Sequence, residues 1–328
     1  MRRAFWHALR FYQRKLAGSR KIEGLVLDVG SGNSPHPRAD VLAEKYLLDD
    51  SNRIWGRKPV ISAPLVACDA EALPFADKTF DFSIASHLLE HVDRPDKVMD
   101  ELSRVSKAGY IECPNADYDK LDSPPYHKWF VELEGKRIVF RQKDRAVFDA
   151  GIKELTHAAL YSDSGFWAAF WRHVDRFFIR YTWEGSIDYK VEYLPLADGS
   201  PGSAERSVFD DPDWLRDRGF VVTDAEPEGA TAEESVGQWL LELGWKGMAR
   251  LARGRRPYPN IFELLVCPDD HAALERANED GAGRAVELGC VRCGRTFPVV
   301  GGIPFVFPKR EESRARREHQ AGDLTQKP

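Results

Sequence analysis

The stretch Gly24-Leu25-Val26-Leu27-Asp28-Val29-Gly30-Ser31-Gly32 decides the fold. Its apolar run is too short for a helix and stops at two glycines, which predicts a buried strand of a parallel sheet followed by a tight turn. Because they lack a Cβ, Gly30 and Gly32 let the backbone turn sharply and let a ligand approach it closely. Asp28 comes at the carboxyl end of the predicted strand, where ligands bind in open α/β sheets. A G-x-G turn alone does not identify the ligand.

Further short strands and helices follow this turn in alternation. Strands are predicted at 41–44, 65–69, 80–86 and 110–113, with a helix over 95–107. Such alternation predicts a doubly wound, Rossmann-like α/β sheet. The second predicted strand ends at Glu44 and the third at Asp69. An ionised carboxylate at the end of the second strand can accept bonds from both hydroxyls of a ribose.

Composition bounds the class of protein. The 328 residues suggest two domains or one large domain with additions, and 43% hydrophobic with 30% charged residues is typical of globular proteins. A net charge of -5 argues against a general nucleic-acid coat, and five cysteines do not suggest a disulfide framework. No apolar run of about 18 residues occurs, so no membrane span is expected. We expect a cytoplasmic location.

Three motifs carry a family resemblance. They are Asp28-Val29-Gly30-Ser31-Gly32, Cys68-Asp69-Ala70-Glu71-Ala72-Leu73-Pro74-Phe75 and Phe80-Asp81-Phe82-Ser83-Ile84-Ala85-Ser86-His87-Leu88-Leu89-Glu90-His91. In this order and spacing they resemble class I S-adenosylmethionine-dependent methyltransferases of the type 11 group. The resemblance implies a seven-stranded mixed sheet whose last two strands form an antiparallel hairpin. The candidate strands are 175–183 and 187–194.

The resemblance also implies a cofactor site, residue by residue. The amino-acid part of S-adenosylmethionine would lie at Asp28, Gly30 and Gly32, the ribose at Glu44, the adenine at Asp69 and Ala70, and the sulfonium near His87. This chain departs from the family in one respect. The gap between Gly32 and Glu44 leaves little room for the usual first helix, which bears on the ribose assignment.

A dinucleotide-binding dehydrogenase is the rival interpretation of the same glycines. Its fingerprint needs a third glycine and a full helix beneath the pyrophosphate. Here Ser34, Pro35 and Pro37 occupy that helix region, and proline is not tolerated in a helix interior. The sequence therefore favours the methyltransferase interpretation.

Several segments surround the core, which is predicted over 22–195. An amphipathic basic helix is predicted over 1–21, packed beside the nucleotide site or lying on a membrane surface. An insertion at 115–175 is predicted to cover the substrate site, with a hairpin near Trp129 and His127 either in the pocket or structural. The segment 196–256 is predicted to contain loops, a helix over 232–253 and a basic linker.

The C-terminal segment is predicted to be a separate small α+β domain over 257–308, followed by a disordered tail over 309–328. It resembles the zinc-ribbon domain of the small activator subunit that partners tRNA and protein methyltransferases, above all in Cys293 and the segment 297–304. The first knuckle departs from that pattern, since one of its two cysteines is missing. The candidate zinc ligands are Cys267, Asp270 or His271, Cys290 and Cys293. A degenerate ribbon without metal is the alternative.

Together these features predict an enzyme that uses S-adenosylmethionine, with zinc as a second candidate cofactor. His87 is the first candidate for a general base and His127 the second. Methyltransferases that act on planar amines have an Asn/Asp-Pro-Pro-aromatic tetrad, whereas this chain has Cys113-Pro114-Asn115-Ala116 after the fifth predicted strand. This difference favours an oxygen of a small molecule or glycan precursor as the methyl acceptor. Two alternatives remain open. One is an RNA- or protein-modifying enzyme docked through the ribbon, and the other is a cofactor-binding scaffold without transfer.

Overall fold

The computed structural model describes residues 22–47, 59–122, 126–143, 151, 154–156, 158–159, 164–194, 232–254 and 256–311. The predicted helix over 1–21 lies outside these residues, as do the segment 196–231 and residues 312–328. In the described part of the chain, no helix has both the length and the apolar character needed to cross a membrane.

The main sheet has six strands in the order β3-β2-β1-β4-β5-β8 among the described residues. These strands are β1 (Val26–Val29), β2 (Val41–Glu44), β3 (Leu65–Ala67), β4 (Phe80–Ser86), β5 (Ser106–Pro114) and β8 (Phe178–Glu184). Strand β2 pairs in parallel with β1 on one side and with β3 on the other. Strands β1, β2 and β3 are buried along their whole length, including Asp28 in β1 and Glu44 in β2. The Rossmann-like α/β fold is confirmed.

The predicted C-terminal hairpin of a seven-stranded sheet is wrong. Strand β9 (Tyr189–Glu192) does not join β8 but pairs in parallel with β7 (Arg137–Gln142), which is antiparallel to β6 (Trp129–Glu134). These three strands form a sheet of their own. Because Ile138, Val139 and Phe140 of β7 are all buried, that strand needs a partner on each side.

Four helices have described bounds: α1 (Pro95–Val105), α2 (Ala116–Asp122), α3 (Ser164–Arg172) and α4 (Ala232–Arg253). Helix α1 is shorter than predicted, because β5 begins directly after it and includes Gly109. Helix α4 has its predicted bounds, but its buried face differs. Trp245 and Ala249 are buried there, whereas Leu243 is 47% exposed.

The C-terminal segment is an antiparallel sheet rather than an α+β domain. It contains β10 (Leu274–Glu279), β11 (Ala285–Cys290), β12 (Thr296–Val300) and β13 (Ile303–Pro304), each antiparallel to the next. Short 3-10 turns at Ile261–Glu263 and Lys309–Glu311 flank the sheet. The second turn lies where the disordered tail was predicted to begin.

The chain divides into two compact units. The first unit comprises 1–84, 101–109 and 230–328, and the second comprises 85–100 and 110–229. The C-terminal sheet therefore belongs to the same unit as β1, β2 and β3.

Within the first unit, the C-terminal sheet continues the edge of the core. Phe305 forms a parallel bridge with Ala67 of β3, and the Val306 N–H donates to the Ala67 carbonyl at 2.8 Å. The Val266 N–H donates to the Pro74 carbonyl at 2.9 Å. The edge of β3 is thereby paired instead of exposed.

Candidate active site

The turn after β1 is tied to the end of β2. Gly30 and Gly32 have φ angles of 68° and 51°, the left-handed region that glycine adopts without strain. The Gly30 N–H donates to the Ala43 carbonyl at 2.8 Å, and the Gly32 N–H donates to Glu44 Oε2 at 2.7 Å. The two glycines and Glu44, which the sequence assigned to one cofactor, are therefore neighbours.

Two carboxylates beside this turn are buried and held by backbone groups. Asp28 is 2% exposed, and its Oδ2 accepts from the His36 N–H at 2.6 Å. Glu44 is 7% exposed, and its Oε1 accepts from the Lys45 N–H at 3.1 Å. These backbone bonds fix the orientation of both carboxylates beside the turn.

Asp69, assigned to the adenine, is paired with two cations. Its Oδ2 lies 3.1 Å from Lys45 Nζ and 3.3 Å from a guanidinium nitrogen of Arg310. Burial opposes the charge on Lys45, but Asp69 and Glu311 outweigh it and raise the pKa of that ammonium. Ala70 lies beside Asp69 and is 8% exposed. The C-terminal segment thus contributes a side chain to this position.

Sequence reasoning missed Lys45 and Arg310. Lys45 directly follows the end of β2, so its place next to Glu44 was a usable signal. Arg310 has no local signal, since it lies 241 residues from Asp69 in a charged stretch that predicts disorder.

His87 stands at the end of β4, in the second unit. Its φ of 56° is uncommon for a residue with a side chain. Nδ1 lies 3.3 Å from Glu90 Oε1, the ring centroid lies 5.5 Å from that of Phe178, and the side chain is 42% exposed. Solvent can therefore reach this imidazole, as a proton-transfer role requires.

His127, the second candidate base, is buried. Its Nδ1 lies 2.6 Å from Asp119 Oδ1, and Lys143 Nζ lies 3.3 Å from the other oxygen of the same carboxylate. The carboxylate fixes the tautomer and orientation of the ring. This arrangement suits a structural histidine, a base or a ligand equally.

Glu90 and His91 form a cluster with His127, which the sequence did not predict. One ligand atom from each of the three lies within 4.8 Å of the others. Burial opposes ionisation of Glu90, but the neighbouring imidazoles of His87, His91 and His127 lower its pKa to about 2. Burial lowers the pKa of His91 to about 4. The adjacent residues Glu90 and His91 in the third motif were a usable sequence signal for this cluster. Its third member, His127, lies 36 residues after His91 in the chain.

A second cluster contains three thiols and one carboxylate. The ligand atoms of Cys267, Asp270, Cys290 and Cys293 all lie within 4.8 Å of one another. The Sγ atoms of Cys267 and Cys293 are 3.8 Å apart, and Cys290 Sγ is 3.5 Å from Asp270 Oδ1. Zinc–sulfur bonds of about 2.3 Å at tetrahedral angles place two sulfurs about 3.8 Å apart, so this donor set fits zinc.

Asp270 and His271 were the two candidates for the ligand that replaces the missing cysteine. Asp270 belongs to the cluster, whereas His271 is outside it, exposed, with a φ of 56°. Burial opposes ionisation of Cys290, but the N–H groups of Cys293 and Arg292 lower its pKa, whereas burial raises the pKa of Cys267 to about 12. A lowered pKa favours the thiolate that metals require.

An open cleft of about 550 Å³ lies in the second unit. Its walls include residues of α2, β6 and β8, among them Ala116, Leu133 and Phe178. Phe178 is the same side chain that contacts His87. Part of the segment predicted to cover a substrate therefore lines a cleft near the first candidate base.

Comparison with known proteins identifies the core. Residues 27–111 match the model of a family described as a methyltransferase domain. The chain is 40% identical over 88 residues to a demethylmenaquinone methyltransferase of Renibacterium salmoninarum, covering 26% of this chain and 37% of that protein. It is 39% identical over 75 residues to a sterol 4-C-methyltransferase of Caenorhabditis elegans, covering 21% and 22%.

The solved structures that match share much less sequence. One from Thermotoga maritima, described as a possible histamine N-methyltransferase, is 22% identical with a TM-score of 0.28, covering 36% of this chain and 62% of that one. The chain spans about a third or less of the length of the two curated relatives. Residues 27–111 are therefore similar to a methyltransferase domain.

Proposed function

We propose that this chain transfers a methyl group from S-adenosylmethionine to a small organic acceptor. The observation that carries the proposal is the turn at Gly30 and Gly32 joined to Glu44, within the matched segment. That turn offers close backbone approach and carboxylate acceptors at the carboxyl ends of adjacent parallel strands. The names of both curated relatives indicate small organic acceptors, which agrees with the proposal.

The residues present fit the cofactor. The ammonium group suits Asp28, the ribose hydroxyls suit Glu44, and the adenine suits the position of Asp69 and Ala70. When bound, S-adenosylmethionine supplies a methyl group that its sulfonium already activates. The protein then has to orient the acceptor for in-line displacement, which is a positioning task.

We propose an oxygen as the acceptor atom, with His87 as the base that takes its proton. A half-exposed imidazole at the end of β4, beside the Phe178 cleft, can reach a hydroxyl group there. Two relatives, among them the sterol 4-C-methyltransferase, are named as carbon methyltransferases, so the site of transfer needs a direct assay. Incubation with labelled cofactor and pools of small hydroxylated compounds, followed by mass spectrometry of products, distinguishes O-methyl from C-methyl products.

The binding step is tested by calorimetry with S-adenosylmethionine. A Gly32→Val side chain would occupy the space of the ligand and strain a left-handed backbone, so we expect at least about tenfold weaker binding. Gly254→Val is the matched control, because Gly254 also has a positive φ and nothing lies within 4 Å of its added Cβ. Equal affinity of Gly32→Val and the wild type would contradict the proposed site.

We propose in addition that the C-terminal sheet binds zinc and stabilises the core in cis, as the resemblance to an activator subunit suggests. Its pairing with Ala67 and Pro74 supports this role, since these backbone bonds join the sheet to the core of the first unit. A macromolecular acceptor is not needed to account for it. Binding of bulk tRNA that weakens steeply with salt would instead support an RNA substrate.

A further inference from the structure

The cluster of Glu90, His91 and His127 has no role in the proposed function. Glu90 is 0% exposed, and neither oxygen of its carboxylate has a hydrogen-bond partner of good geometry among the described residues. The nearest cationic candidates are ring nitrogens, His87 Nδ1 at 3.3 Å and His91 Nε2 at 3.8 Å. Its close partners are therefore imidazoles, and imidazole is the commonest metal ligand among side chains.

Both imidazoles are held in a form that can bind metal. The Nδ1 of His127 is 2.6 Å from Asp119 Oδ1, which accepts only, so Nδ1 carries the hydrogen and Nε2 keeps its lone pair. The Nδ1 of His91 is 3.2 Å from the Tyr126 carbonyl, and the same reasoning leaves its Nε2 free of a hydrogen. A ring whose other nitrogen donates to a carboxylate or a carbonyl is the usual arrangement of a metal-bound histidine.

Charge balance distinguishes the two carboxylates in this region. Asp119 has the ammonium of Lys143 at 3.3 Å in addition to His127. The ion pairs of Glu90, in the described part of the chain, involve imidazoles only. A divalent cation between Glu90 and the two rings would supply the missing positive charge.

We propose that Glu90, His91 and His127 bind a divalent transition metal, of the kind that accepts two imidazoles and one carboxylate. Zinc, manganese, iron(II) and cobalt(II) accept such a donor set. Three protein ligands leave further coordination positions for water or for an oxygen of a bound molecule. The site goes beyond the proposed function, and it is separate from the cysteine cluster, which lies in the first unit.

Cobalt(II) titration of the metal-stripped full chain tests the proposal. Cobalt at the cysteine cluster gives sulfur-to-metal absorption in the near ultraviolet, whereas cobalt on imidazole and carboxylate gives only visible bands. We expect the wild type to bind two equivalents. His91→Gln should lose one equivalent and keep the sulfur band, and Cys293→Ser should change the sulfur band only.

Two further variants sharpen the test. Asp119→Asn should weaken the imidazole site by about 10–100-fold, because Asp119 positions His127 without touching the metal. His173→Gln is the matched control, since His173 is exposed and outside the cluster. The His91 side chain is 17% exposed, whereas that of Glu90 is fully buried. We therefore expect a substitution of His91 to be tolerated better than one of Glu90. Circular dichroism checks that the variant is folded.

The outcomes are separable from those of the methyltransferase proposal. Cobalt binding is measured without S-adenosylmethionine, and cofactor affinity of His91→Gln is measured on its own. A single equivalent in the wild type, abolished by Cys293→Ser, would overturn the imidazole site. Two equivalents in both the wild type and His91→Gln would also overturn it.

Discussion

Gly24 shows at the scale of one residue how the start of the decisive strand is fixed. Its φ is 74°, and a Cβ built on it would lie 2.1 Å from Asp81 Oδ2. That same oxygen accepts a hydrogen bond from the Leu25 N–H at 2.8 Å. A side chain at this position would therefore displace the carboxylate that caps the strand.

We expect Gly24→Ala to lower the free energy of unfolding by about 2–4 kcal/mol, combining the left-handed backbone with the lost hydrogen bond. Gly254→Ala is the matched control, with a similar φ of 67° and open space around the new Cβ. It should cost only about 1–2 kcal/mol. Urea denaturation of both variants measures the difference, and equal losses would show that the contact with Asp81 does not matter.

Glu44 accepts a hydrogen bond from the Gly32 N–H and is proposed to bind the ribose hydroxyls as well. We expect Glu44→Ala to weaken cofactor binding by about 1.5–3 kcal/mol, the range for hydrogen bonds to a charged group. Glu44→Gln keeps the shape and should lose less. Calorimetry gives both values, with the exposed Glu275→Ala as the control. If neither change affects affinity, the ribose is held elsewhere, and Asp49, outside the described residues, becomes the first alternative.

At the scale of elements, local patterns predicted the strands of the core well. Strands β2 and β4 have their predicted bounds, because each is a run of buried or alternating residues ended by a polar side chain. The parallel pairing of β9 with β7 could not be predicted, since it joins residues 51 positions apart and leaves no local periodicity. The exposed Leu243 of α4 has a similar cause, because helical spacing alone does not tell which apolar stripe finds a partner.

The candidate site was predictable to the extent that its residues end strands. Asp28, Glu44 and Asp69 come together because parallel strands place their carboxyl ends at one edge. The contact of Arg310 with Asp69 and the proximity of His127 to His91 could not be predicted in this way. Both depend on contacts between distant segments, which a single sequence does not reveal.

The extended segment around Phe305 is the element that joins the C-terminal sheet to β3. Phe305 and Phe307 are each 1% exposed and pack against Ala67. We expect Phe305→Ala to lower the free energy of unfolding by about 3–5 kcal/mol, as for other buried phenylalanines. Val291→Ala, at a side chain 57% exposed in the turn after β11, should change stability by less than about 0.5 kcal/mol.

The same substitution should also affect the cofactor, because Arg310 follows Phe305 closely and contacts Asp69 at 3.3 Å. A moderate loss of affinity for S-adenosylmethionine in folded Phe305→Ala would support this coupling. Unchanged affinity, with stability lowered as expected, would show that the segment is structural only.

At the scale of the whole chain, the C-terminal sheet is too small to be stable by its own core. Segments of about 50 residues usually need a metal, a disulfide or a partner surface. Two such supports are candidates here, the proposed metal site at the Cys3Asp cluster and the paired edge of β3. Both lie in the first unit, so removal of either support should destabilise the strands that carry the candidate cofactor residues.

We therefore expect a chain ending at Arg256 to melt at a lower temperature than the full chain or to aggregate, since Ala67 and Phe75 lose their partners. A strong chelator should lower the melting temperature of the full chain, whereas Cys293→Ser should start low and respond little to chelator. Cys68→Ser is the control for the loss of a thiol outside the cluster. If the truncated chain melts at the same temperature as the full chain, the sheet does not stabilise the core. A full chain that contains zinc but is indifferent to chelator would mean that the paired edge, not the metal, holds the sheet in place.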